Sequence, residues 1–164
     1  PTAVHRVAEA GIACGEAKYT YDMGGPITVI QSGDAYTNNA TVGDGAWTSL
    51  LTTPPFPTYT SGHSTFSRAG ATILQFILGT DTINVSFQGD FGVMRQLTSL
   101  DGAALEAGLS RIYGGTHFSL DDVRRQAGGL DVANWVIGNY FQIPAPGAAA
   151  LLGLAGLVAG RRRR

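Results

Sequence analysis

Between Ser61 and Gly79 the sequence SGHSTFSRAGATILQFILG places apolar residues at Phe66, Ala69, Ile73, Leu74, Ile77 and Leu78, then stops on a glycine. That spacing is the 3.6-residue period of a helix, and such an apolar stripe must be buried against neighbouring elements. Other segments repeat the period. Residues 3–17, AVHRVAEAGIACGEA, carry Val4, Val7, Ala8 and Ile12 at helical spacing. Thr98 with Asp101 reads as a capping box ahead of LDGAALEAGLSRIY, whose Leu100, Ala104, Leu105, Gly108 and Leu109 share one stripe. Ser119 with Asp122 reads the same way ahead of a run to about Tyr140 containing Val123, Val132, Trp135 and Val136. The best strand candidate is INVSF at 83–87, and no repeat of solenoid length occurs. The expected class is mainly α, a helical bundle.

With 44% hydrophobic and 14% charged residues, the 164-residue chain is too apolar for intrinsic disorder and suits one globular domain. Four of its eleven basic residues are Arg161 to Arg164, which leaves seven basic against twelve acidic residues in the body. Nucleic acid is therefore not an expected partner. The single cysteine, Cys14, allows neither an intramolecular disulfide nor a thiolate metal site. The chain opens Pro1-Thr2-Ala3 without a signal-peptide pattern and reads as N-terminally incomplete.

Three features could carry chemistry. Lys18 is the one lysine among eleven basic residues, which singles it out for a specific role, although a lone lysine is ordinarily solvated. Ser61-Gly62-His63 stands where a Pro-rich stretch, 32–60, enters the apolar helix. A helix start aims backbone N–H groups and a positive dipole at whatever lies in front, glycine permits close approach, and histidine exchanges protons near neutral pH. The alternative is a serine N-cap with a packed histidine. Arg111, His117 and Asp121 form the third group, around the Gly114-Gly115 turn. Arginine offers a planar fork to a tetrahedral anion, histidine a nucleophilic or ligating nitrogen, and the carboxylate at i+4 could orient that imidazole. Here the alternative is an ordinary helix-terminal Arg, a loop His and an Asp on the helix dipole. Taken together, the three suit phosphoryl transfer or vanadate binding. Positive charge and N–H donors would face the equatorial oxygens, and histidines the axial and acid–base roles. His5 has no partner nearby in sequence, and no zinc-hydrolase H-E-x-x-H occurs.

Three blocks carry a family resemblance: AKYTYDMGGPITVIQ (17–31), TPPFPTYTSGHSTFS (53–67) and EAGLSRIYGGTHFSLDD (106–122). Together, and in the family's order, they resemble the bacterial vanadium-dependent haloperoxidases of the type 2 phosphatidic acid phosphatase superfamily. The resemblance covers roughly residues 5–140. It implies a helical bundle of the vanadium haloperoxidase and acid phosphatase type, in a catalytic domain over 1–142. It also implies vanadate as cofactor, held by Lys18, Ser61, Gly62 and Arg111. His117 would be the axial ligand to vanadium, His63 the acid–base residue, and Asp121 the support of His117. Hydrogen peroxide and a halide would be the substrates, with an organic acceptor for the oxidised halogen. The resemblance favours the haloperoxidase branch, because AKYTYDMGGP and SRIYGGTHF resemble it beyond the shared catalytic letters; since phosphate could occupy the same site, a phosphomonoesterase working through a phosphohistidine is one alternative, and a degenerate surface protein that keeps only the fold is another. The family's first motif is Lys, six residues, Arg and Pro, whereas here Lys18 is followed by Gly25 and Pro26. Loss of one charge-assisted contact to an oxyanion corresponds to about 1.5 to 3 kcal/mol, ten- to over a hundredfold in affinity.

Residues 143–164 form a separate tail: Ile143-Pro-Ala-Pro146, an apolar run from Gly147 to Gly160, and four arginines. A helix of that run spans only ~21 Å against ~30 Å of hydrocarbon. The tail resembles a PEP-CTERM sorting signal with Ala145 in place of the usual glutamate; a plain membrane anchor is the alternative. Its expected partners are a membrane and a sorting protease. Either reading puts the catalytic domain outside the cytoplasm, on a bacterial surface or secreted, because the arginines favour the inner side.

Overall fold

The structure, a computed structural model, describes residues 3–35, 38, 40–89 and 92–141. The tail at 143–164 and its sorting or anchoring role lie outside the described residues. Among the described residues, five α-helices and one hairpin follow along the chain, with a single 3-10 turn at Gly33–Ala35. They are α1 (Ala3–Tyr21), α2 (Pro26–Gln31), α3 (Gly62–Leu78), β1 (Thr82–Gln88), β2 (Met94–Ser99), α4 (Leu100–Tyr113) and α5 (Ser119–Tyr140). The mainly helical class is as expected, and no helix among the described residues is long and apolar enough to cross a membrane.

α3 is the central helix and packs against α1, α4 and α5. Ser61 caps its start and Gly79, at φ +70°, ends it with a left-handed residue. One core cluster joins Ala10 of α1, Ala69 and Ile73 of α3, and Ala133 and Val136 of α5. A second joins Ala71 to Leu100 and Ala104 of α4. Three of the first cluster's five members are alanines, so the helix axes approach closely, and Gly129 shows how closely: a Cβ there would lie 2.5 Å from the Thr65 carbonyl oxygen. Ile73, fully buried, contributes about 2 kcal/mol by leaving water.

Several expectations are corrected. The α3 stripe is only half buried: Ala69 and Ile73 are enclosed, but Phe66, Leu74, Ile77 and Leu78 keep 40 to 56% of their surface exposed. In α5, Val123 and Trp135 likewise face outward. The cap of α4 is Ser99, which accepts from Gly102 N–H, rather than Thr98. At α5 the capping pair is Phe118 N–H with the Asp121 carboxylate, so Ser119 and Asp122 are released from that role. The strand at 83–87 extends to 82–88 and pairs antiparallel with β2, matching Val85 to Leu97 and Phe87 to Arg95. Neither β2 nor α2 was anticipated. α2 has only six residues, too few for a readable period, and starts on Pro26.

Candidate active site

Lys18 stands in the last turn of α1 with a buried side chain, which removes the solvated reading. Its Nζ donates to the carbonyl oxygens of Pro57 at 2.7 Å and Thr58 at 3.3 Å and lies 4.5 Å from the Phe56 ring centroid. The Pro-rich loop is thus pinned to α1 by a charge. Thr58 N–H also donates to the Met23 carbonyl at 2.9 Å, tying the same loop to the turn between α1 and α2. Gly25 closes that turn as N-cap of α2.

That loop delivers the chain to the start of α3. Ser61 is fully buried and its Oγ accepts from Ser64 N–H at 3.4 Å, so the cap reading holds for the serine. Gly62 opens the helix, and His63 is exposed on its first turn. Partial desolvation, followed by the positive fields of Arg111 and His117, holds the His63 imidazole below its ordinary value of 6.5. It is therefore neutral at neutral pH and able to accept a proton. That these groups act on His63 places the second and third sequence clusters beside one another.

Arg111 occupies the last turn of α4, and the chain then reverses at Gly114-Gly115. Gly115 takes φ +71°, and a Cβ there would press on Trp47 and Ser49 at 3.1 and 3.3 Å, so the reversal requires glycine on both counts. Thr116 N–H returns to the Arg111 carbonyl at 3.0 Å. His117 follows, buried, with Nδ1 3.2 Å from Asp121 Oδ2 and 3.0 Å from Thr58 Oγ1. The Thr58 hydroxyl donates its one proton to Asp121 Oδ2 at 2.6 Å. It can then only accept from His117, so Nδ1 carries a proton directed at this pair. Burial pushes the Asp121 carboxyl up. Hydrogen bonds from His117, Thr58 and Phe118 N–H outweigh that and hold it below its ordinary value.

Two participants escaped the sequence reading. Thr58 touches the lysine, the turn before α2 and the His117–Asp121 pair, although it lies inside the quoted TPPFPTYTSGHSTFS block; nothing in its spacing distinguished it from its threonine neighbours. Asp122, which the sequence pattern offers as a cap residue, has a different role. It is buried and accepts from Ser64 Oγ at 2.6 Å and from Gln126 at 3.3 Å. Ser64 Oγ lies 2.9 Å from Ser61 Oγ, so consecutive carboxylates of α5 support the two arms of the site.

The groups that converge are histidine, arginine and a helix N-terminus, a donor set for an anion. No cluster of His, Cys, Asp and Glu suited to a metal cation occurs among the described residues. Arg111 Nε is buried and, among the described residues, has no acceptor. A tetrahedral oxyanion such as vanadate or phosphate would supply one, and the residues present fit such a group.

Residues 2–144 match the family of the VCPO second helical-bundle domain. No curated protein sequence matches. Among solved structures, a bacterial vanadium-dependent iodoperoxidase is 32% identical with a TM-score of 0.73, over 83% of this chain and 32% of that one. A bacterial vanadium-dependent chloroperoxidase in its holo form is 18% identical with a TM-score of 0.67, over 80% of this chain and 33% of that one, and shares the fold. The chain spans about a third of the length of these solved relatives. By that match across most of its residues, on top of the helical architecture, the chain belongs to the family of the VCPO second helical-bundle domain.

Proposed function

We propose that this chain is the oxyanion-holding part of a vanadium-dependent haloperoxidase, with hydrogen peroxide and a halide as substrates. The observation that supports it most is the buried Arg111 Nε without an acceptor, beside a His117 whose Nδ1 is committed to Asp121 and Thr58. Lys18, Ser61, Gly62 and Arg111 would hold the oxygens of vanadate, and His117 Nε2 would face its metal. When bound, vanadate supplies the activation of peroxide toward halide. Asp121 and Thr58 keep the His117 ring from turning, and neutral His63 takes and returns a proton at its exposed edge. Arg111 supplies fixed positive charge to the anion. The export reading is part of the same proposal: Arg161 to Arg164, following the apolar run, would stay on the inner side of a membrane and leave the domain outside.

The test is vanadate titration of the full chain by vanadium NMR, then peroxide- and bromide-dependent bromination of a dye. Gly25→Arg is expected to bind vanadate ten- to a hundredfold more tightly than the original chain, the equivalent of about 1.5 to 3 kcal/mol for a charged contact. Phosphate release from a phosphomonoester, inhibited by vanadate and without bromination, would replace this reading with a phosphatase. No binding in either chain would overturn it.

Thr58→Val keeps the shape of the side chain and removes the hydroxyl that bridges His117 and Asp121. It is expected to weaken vanadate binding about ten- to a hundredfold, as loss of a supporting partner does, and Thr58→Ser to restore it. Equal affinity of the valine and serine variants would deny Thr58 this role.

A further inference from the structure

A cavity of about 300 Å³ lies between the α1–α2 turn and the Pro-rich loop, with Gly25, Thr58 and His117 in its wall. We propose that this cavity is a subsite for an uncharged, ring-bearing organic group of the substrate, and that Gly25 is the residue that keeps it open. The inference rests on the oxyanion reading of the adjoining site and names the class of molecule that would be presented there.

Its size is roughly ten times the ~30 Å³ that one water occupies in the liquid, room enough for a substituted six-membered ring. Ile27, Pro54, Phe56 and Pro57 line part of it with carbon, and threonines, Asp22 and His117 make the rest of the wall polar. The aromatic ring of Phe56 favours a planar ring as its neighbour. Among the described residues, Asp22, exposed at the turn, is the only carboxylate in the lining, and neither lysine nor arginine accompanies it there. A second negative charge on the bound molecule would be repelled there, while the oxyanion end has Arg111.

Gly25 is not required by the backbone. Its φ of −75° and ψ of 171° are the extended values that the residue before Pro26 normally takes, whatever its side chain. Packing does not require it either, since a Cβ would meet only Thr58 Cβ, at 4.0 Å. What glycine contributes at this position is empty space in the cavity wall.

The experiment compares orthophosphate, phenylphosphonate, (4-carboxyphenyl)phosphonate and phenol on the full chain by phosphorus and proton NMR. Phenylphosphonate is expected to bind at least about tenfold more tightly than orthophosphate, from the apolar area its ring removes from water, and the carboxylated analogue to lose that advantage. Gly25→Leu should abolish the advantage, read as the ratio of the phenylphosphonate and orthophosphate affinities of the same variant, and Gly25→Ala, which adds one methyl, should reduce it only in part. Phenol, without an oxyanion, should perturb Phe56 and Ile27 in the original chain and not in Gly25→Leu. Failure of orthophosphate with retention of phenol would overturn the oxyanion reading and support the subsite. Failure of phenol, equal affinity of orthophosphate and phenylphosphonate, or an unchanged advantage in Gly25→Leu would overturn the subsite.

Discussion

Asp121→Ala is expected to lower the unfolding free energy of the full chain by about 3 to 5 kcal/mol at neutral pH. Asp121 Oδ2 collects the His117 Nδ1–H, the Thr58 hydroxyl and the Phe118 N–H, all within 3.2 Å and out of water. Removing the acceptor strands buried donors, each costing about 1 to 3 kcal/mol when left unpaired. The sign of the pH dependence follows from the depressed titration of this carboxyl. Its contribution is complete above the ordinary value of 3.8 and is lost as pH falls through the lower folded-state value. Urea unfolding at pH 7 and pH 3 should therefore show a large gap between the original chain and Asp121→Ala at the first and a smaller one at the second. Coincident urea midpoints at neutral pH would mean that the three donors find other acceptors at little cost.

His117→Ala is expected to weaken vanadate binding by more than a hundredfold, beyond the ten- to hundredfold loss typical of a supporting residue. Stability should fall much less than in Asp121→Ala, since the carboxylate keeps Thr58 and Phe118 N–H as donors. The pair of variants thus separates the two halves of one hydrogen-bonded unit, anion affinity following the imidazole and folding following the carboxylate. Vanadium NMR read beside a urea curve on the same samples checks both. Retained binding in His117→Ala would assign the anion to Arg111 and the α3 N-terminus alone.

Of the long helices, each was readable from periodicity, and α3 could be bounded closely because Ser61 and Gly79 are local signals acting through their own backbone. The caps of α4 and α5 each lie one residue away from where the sequence pattern puts them. Thr98 and Ser99 are adjacent hydroxyls, as Asp121 and Asp122 are adjacent carboxylates, and composition alone does not choose between neighbours. The choice depends on where the preceding segment leaves the chain. β2 went unread because MRQLTS has little alternation and forms only against β1.

At the site, the same division holds. The identities of Lys18, Ser61, Gly62, His63, Arg111, His117 and Asp121 as chemically capable residues came from their types and local spacing, which need no fold. That Lys18 spends donors on the loop carbonyls, that Thr58 bridges His117 to Asp121, and that Gly25 opens onto a cavity required the tertiary structure. Thr58 lies 59 residues from His117 along the chain, and only the packing of α3 between α1, α4 and α5 brings such distant atoms to 3.0 Å. Helix period, caps and motif residues are determined by interactions within a few residues, whereas proton direction and cavity shape depend on which distant groups the packed core makes neighbours.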